Sequence, residues 1–193
     1  MSWCNTKSEI PDDKDFYDIV SAFVFNCPSA KKLGSDSKKN VHYESISVRT
    51  ENGFKSRGIN RDLLTTILVQ IKKSLDFYRA LKKSSENVED ITKEILRNND
   101  FKDPNFIVFL KQRNMSDTET VYYYIRNAFA HGSFEVVDKG NERIYKFENK
   151  YRGEIKAQMC LKESTLKWYR ELAQMTPAKI KGLRKKSRKN SKT

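Results

Sequence analysis

Arg126, Asn127 and His131 fall within a six-residue span of the stretch VYYYIRNAFAHGSF (121–134), and His131 is one of only two histidines in the chain. Arginine holds a phosphate through a planar fork of donors and stabilises charge that develops on it. Histidine is the side chain whose ordinary titration range lies nearest neutrality, so it suits proton transfer at physiological pH. An arginine and a histidine presented together therefore fit scission of an RNA strand by internal transesterification. There the ribose 2′-OH attacks the adjacent phosphate, and DNA is excluded because it lacks that hydroxyl. Such chemistry needs no metal and no cofactor. Asn127, one helical turn before His131, could orient the imidazole or the phosphate. The bland alternative is a salt bridge from Arg126 to an acid elsewhere, with His131 donating to the last carbonyls of a helix.

A helix must position these residues. Ser116 and Glu119 make the S-x-x-E capping pattern that opens one, and Gly132 supplies the stop. At about 100° per residue, Tyr122, Ile125, Ala128 and Phe129 share a core face. Asn127 and His131 form an i, i+4 pair on the other side, with Arg126 farther round the same outward half. Small Ala130 lies on the strip between them and allows close approach of another helix. Two copies about a two-fold axis could thus bring both motifs to one cleft. Tyr123 lies near this face and is a candidate for stacking on a base, although aromatic residues at helical spacing more often pack.

Around this helix the sequence reads as follows. Phe16, Ile19, Val20 and Phe23 give residues 14–26 one apolar helical face, closed by Pro28. VHYESISVR (41–49) alternates as a strand does; its His42 is assigned no role. Residues 60–83 carry Leu64, Ile67, Leu68, Ile71, Leu75, Tyr78 and Leu81 at three- and four-residue steps, which predicts one long amphipathic helix with Asn60 as N-cap. Further helices are expected over 86–99 and, after Pro104, over 103–114, where Lys111 and Arg113 are charged-surface candidates. Past Gly132 the period changes to 2. SFEVV and ERIYKFE around DKGN predict a hairpin, GEIKAQMCLKE a third strand and STLKWYRELAQM a closing helix.

The 193 residues suit one domain with a proper core. Three well-separated cysteines, Cys4, Cys27 and Cys160, argue for a reducing compartment without a disulfide framework. MSWCNTKSEIPDDKD has no basic region followed by an apolar one, so no secretory signal is expected. No apolar run is long enough to span a bilayer. These readings make a cytoplasmic protein without membrane contact the expectation. The net charge is +13, and residues 178–193 contribute eight basic residues and no acid, leaving 30 basic against 25 acidic residues in the body. Such a block is expected to be disordered in isolation and to meet polyanions by releasing their counterions. Lys179, Lys181, Arg184, Lys185, Lys186, Arg188 and Lys189 are accordingly candidate RNA contacts. The alternative is a tail that only aids solubility.

RNAFAH resembles the Arg-x-x-x-x-His motif of the HEPN family, including the polar residue that often follows the arginine. The likeness continues through YYYIRNAFAHGSFEV, the hairpin, the GEIKAQMCLKE strand and the TLKWYREL helix, as in small bacterial HEPN ribonucleases with strands after the motif helix. It covers roughly residues 60–175, much of that by topology rather than by motif. The resemblance implies a mainly α fold, a HEPN-like helical bundle with a small antiparallel β elaboration. One domain would span 1–177, with 1–59 as an N-terminal elaboration, 60–177 as the core and 178–193 as the tail. It implies a metal-independent endoribonuclease of toxin or phage-defence type, with Arg126 and His131 as catalytic pair and Asn127 as accessory at a composite homodimer site. Single-stranded RNA or tRNA would be the substrate, and an antitoxin or regulatory protein a possible partner. Some HEPN toxins carry a tyrosine two residues after the histidine, which their antitoxin modifies. Ser133 stands there in this chain, so that control is not expected. The alternative within the same resemblance is a non-catalytic nucleotide- or RNA-binding or dimerisation module.

Overall fold

The computed structural model describes residues 3–4, 9–28, 53–82, 86–97 and 104–189. The strand expected over 41–49, with His42, lies outside them. In chain order the elements are α1 (Lys14–Val24), α2 (Arg61–Lys73), β1 (Phe77–Leu81), α3 (Val88–Arg97), β2 (Phe106–Leu110), α4 (Asp117–Ala130), β3 (Phe134–Asp138), β4 (Arg143–Tyr151), β5 (Glu154–Lys162), α5 (Glu163–Gln174) and α6 (Pro177–Lys189). The five strands form one sheet in the order β1-β2-β5-β4-β3. β1 and β2 run parallel, joined by α3, and every other pairing is antiparallel.

This is an α+β fold, which corrects the expected mainly helical bundle with a small β elaboration. Two segments expected as helix account for the difference. Residues 60–83 divide: Asn60 does cap a helix, accepting from the Leu63 N–H at 3.1 Å, but the helix ends at Ser74. The Ser74 hydroxyl donates back to the Ile71 carbonyl at 2.7 Å, and Tyr78 and Leu81 belong to β1. The helix expected over 103–114 is instead β2, whose Phe106, Ile107, Val108 and Phe109 are all fully buried. A strand covered on both faces carries a continuous apolar run, which periodicity alone does not separate from a buried helix.

Asn105 joins these pieces. Its side-chain amide donates to the Ser74 carbonyl and, at 2.9 Å, to Thr165 Oγ1, while its Oδ1 accepts from the Lys162 N–H. Its own N–H donates to Asp76 Oδ2 at 2.8 Å. One buried carboxamide thereby ties the exit of α2, the start of β2 and the β5–α5 corner.

The main core fills one face of the sheet. Ile107, Phe109, Tyr145, Phe147, Ala157, Met159 and Leu161 point from the strands toward α1, α2, α4 and α5, with Ile180 of α6 completing the cluster. The other face carries a smaller core, in which Val88 and Ile95 of α3 meet Phe106, Val108 and Cys160, with Trp3 alongside. The basic segment expected to be disordered is helical over Pro177–Lys189. Pro177 occupies the first helical position, where a missing N–H costs nothing, and buried Ile180 anchors the helix. Arg57 reinforces this corner by donating to the carbonyls of Ala173 and Met175.

An ion cluster docks α1. Arg143 pairs with Asp13 and Glu163, and Lys167 bridges Asp15 at 2.8 Å and Glu163 at 2.9 Å. These cations, above all the hydrogen bonds from Arg143 to Asp13 and from Lys167 to Asp15, hold both aspartates below the ordinary carboxylate range. A carboxyl whose folded value is depressed stabilises the fold above its unfolded value, near pH 4, and that contribution fades as pH falls through the folded value. Protection of the α1 amides, taken relative to the intrinsic exchange rate at each pH, should therefore be unchanged between pH 7 and about 5 and fall below about 4. Asp13→Asn should lower that protection at neutral pH and remove most of its acid dependence. An acid response identical to wild type would show that other carboxyls control α1.

Candidate functional site

The motif helix is held hard at both ends. Ser116 Oγ accepts from the Glu119 N–H while the Glu119 carboxylate accepts from the Ser116 N–H at 2.8 Å, the reciprocal capping box expected from the sequence. At the C-terminus Gly132 adopts φ +63°, a left-handed conformation natural to glycine. There the Gly132 N–H donates to the Phe129 carbonyl and the Ser133 N–H to the Ala128 carbonyl, at 3.3 and 2.8 Å. This is a Schellman stop, which closes the helix beneath His131 without help from the imidazole.

Four side-chain bonds pin the length of α4. Thr118 Oγ1 donates to the Leu64 carbonyl at 2.7 Å, and the Tyr122 hydroxyl to the Tyr169 carbonyl at 2.7 Å. The Tyr124 hydroxyl donates to the Leu110 carbonyl at 3.0 Å, and the Asn149 amide of β4 donates to the Tyr124 carbonyl at 3.0 Å. Burial pushes the Tyr124 phenol up to about 12, so it remains a neutral donor. Tyr122, Ile125, Ala128 and Phe129 are all buried, as the wheel requires. Phe129 meets Phe23, Phe134 and Phe147, with ring centroids 5.0–6.0 Å away.

The outward side carries the candidate chemistry. Arg126 and Asn127 are half-buried, while Ala130 and His131 are exposed. Arg126 Nη1 donates to Asn127 Oδ1 at 3.0 Å, and its Nε is out of solvent with no hydrogen-bond partner. The salt bridge that the bland reading requires is not formed with any described residue. Asn127 therefore orients the guanidinium rather than the imidazole. An arginine held by an amide keeps its full charge available to an incoming anion, whereas a carboxylate would neutralise it.

The other candidates divide. Tyr123 is half-buried, with its ring edge-on to Tyr124 at 5.4 Å, so packing already engages much of it. Lys111 pairs with Asp117 at 2.9 Å, at the far end of α4 from His131, while Arg113 is exposed. Lys179, Lys181 and Arg184 are exposed on α6, and Lys185, Lys186, Arg188 and Lys189 continue the same helix. Lys179, Lys181 and Arg184 are thus spaced on a helix that packs against α2, rather than along a loose chain. Asn149 and Thr118, which fix the position of α4, went unnoticed in the sequence because long-range hydrogen bonds leave no local pattern. No helix among the described residues is long and apolar enough to cross a membrane. No protein-family model, curated protein or solved structure matches this chain.

Proposed function

We propose that the protein is a metal-independent endoribonuclease of toxin or defence type, acting on single-stranded RNA or tRNA through Arg126, Asn127 and His131. The observation that carries this reading is the unbalanced Arg126 guanidinium, tethered by Asn127 on the same outward half of a rigid helix as the exposed His131. In the proposed step a general base removes the proton of the 2′-OH and that oxygen attacks phosphorus. The P–O5′ bond breaks, and a general acid protonates the departing 5′ oxygen. The products are a 2′,3′-cyclic phosphate and a 5′-hydroxyl. Arg126 stabilises the extra charge on the phosphorane oxygens.

One chain supplies one motif histidine, whereas the reaction uses both a base and an acid. A homodimer with the two α4 outward faces across a shared cleft supplies both, and exposed Ala130 permits that approach. The cationic α6 ridge adds affinity for the RNA backbone without sequence preference. The reading rests on the motif and its setting, not on a helical-bundle fold.

The test is incubation of end-labelled single-stranded RNA and tRNA with the full-length protein in excess EDTA, beside an Arg126→Ala control. The expected result is cyclic-phosphate-ended fragments from wild type, reduced by about 10²–10³-fold in the variant. RNA binding without cleavage by either protein would favour a non-catalytic nucleotide- or RNA-binding or dimerisation module.

A further inference from the structure

The β4–β5 hairpin ends in a tip that takes no part in the motif chemistry. Tyr151 closes β4, and Arg152 and Gly153 make the two-residue turn into β5 with φ of +51° and +79°. Positive φ at both central positions is the I′ form, whose usual residues are asparagine, aspartate and glycine. An arginine held there is less comfortable than any of these, so turn formation does not account for Arg152. Its side chain lies over the Tyr151 ring, with Cζ 5.3 Å from the centroid. Both residues are exposed, and with 61% of Tyr151 open to solvent the ring has room for a second planar group.

The charges around the turn single out Arg152. The lysines in the strands on either side of it are both engaged, Lys150 by Glu148 at 2.7 Å and Lys156 by Glu154. Arg152 forms no ion pair with any described residue, and its one contact is the Tyr151 ring. The tip also lies on the motif side of the sheet. Tyr145 and Phe147 face the main core and Asn149 bonds the Tyr124 carbonyl of α4 at 3.0 Å; Tyr151 follows them in the two-residue alternation of β4. From Tyr124 to His131 the helix rises only about 10 Å. An exposed aromatic face joined to an unmatched guanidinium offers a base a stacking surface and a phosphate its donors, the pairing that single-stranded nucleic acid uses.

We propose that Tyr151 and Arg152 form a subsite for an unpaired nucleotide of the RNA, with Tyr151 stacked on the base and Arg152 on an adjacent phosphate. The proposal rests on the ribonuclease reading and narrows its substrate. A base that stacks on Tyr151 has left its own helix, so the target is single-stranded RNA or the loop of a folded one, not a duplex.

The experiment is an anisotropy titration of the full-length protein with a labelled, fully 2′-O-methylated single-stranded RNA. That probe keeps bases and phosphates but has no attacking hydroxyl, so binding is read apart from cleavage. Tyr151→Ala should weaken binding about tenfold, and Tyr151→Phe should bind as wild type does. Arg152→Asn places the favoured residue in the turn, so the variant should melt no lower than wild type. Its slope of log affinity against log salt should nevertheless flatten by about 0.7, one phosphate contact. Binding unchanged in Tyr151→Ala, or weakened as much by Tyr151→Phe, would overturn the proposal even if unmodified RNA is cleaved. An equal loss by Tyr151→Ala toward inorganic polyphosphate, which carries charge without bases, would overturn it too. Tenfold weaker binding by Tyr151→Ala with no cleavage of unmodified RNA by wild type would uphold the subsite and count against the ribonuclease reading alone.

Discussion

His131→Ala should reduce RNA cleavage by about 10²–10⁴-fold, the usual contribution of a positioned general acid or base, with the fold intact. The structure separates the two effects unusually cleanly for a helix-terminal residue. Backbone bonds from Gly132 and Ser133 close the helix, and the imidazole is exposed, so its removal should shift stability by no more than about 0.5 kcal/mol. Circular dichroism and thermal denaturation of the variant should overlay wild type while the RNA ladder disappears. His131→Ala also tests the composite site. Mixed with excess Arg126→Ala protein, it should regain part of the lost activity if each cleft draws residues from two chains. Cleavage equal to wild type would remove His131 from the chemistry and end the proposed mechanism.

The largest structural effect is expected from Asn105→Ala, at about 3 kcal/mol of lost stability. The truncation strands the Lys162 N–H and the Ser74 carbonyl in a buried corner and leaves a small void. It also removes the partner of Thr165 Oγ1. The two bonds between the Asn105 backbone and Asp76 survive. Urea denaturation with an unchanged m-value would register the loss as stability rather than as a change in the unfolded ensemble. A cost under about 1 kcal/mol would show that water replaces the carboxamide at this corner. The Asn105 carboxamide bonds Ser74, Thr165 and Lys162 and none of Arg126, Asn127 and His131, so cleavage per folded molecule should survive in this variant.

The contrast between these two residues also explains what could be read from the chain in advance. Local chemistry was legible. Ser116 and Glu119 are three apart and cap α4 as their types dictate, Gly132 ends it, and the DKGN turn sets the β3–β4 hairpin. The composition of α4's core face was legible for the same reason, since Tyr122, Ile125, Ala128 and Phe129 repeat at helical spacing. The β1–β2 half of the sheet was not. Leu75, Tyr78 and Leu81 continue a helical period by coincidence past Ser74. What ends the helix there is partly Asn105, thirty-one residues away. The run FIVF satisfies a buried helix and a buried strand equally, and only the partner decides: β2 is strand because β5 lies beside it. For Arg126 and His131, spacing showed that they could share the outward side of a helix. It did not show that Asn127 would serve the arginine.

The placement of β5 has a further consequence, for the order in which the protein is made. β2 is complete by residue 110, yet its antiparallel neighbour begins at Glu154. α4 is synthesised before the strands that carry Phe147 and Asn149, against which its inner face settles. A nascent chain that has already displayed RNAFAH still lacks the floor beneath it, and the helix cannot take its final seat until β4 and β5 leave the ribosome. A protein that cuts RNA would stand beside the translating ribosome's own RNA throughout that interval. Chain order thus delays assembly of the α4 face until β4 and β5 have emerged, and a chain terminated before them would be a substrate for proteases rather than a folded protein.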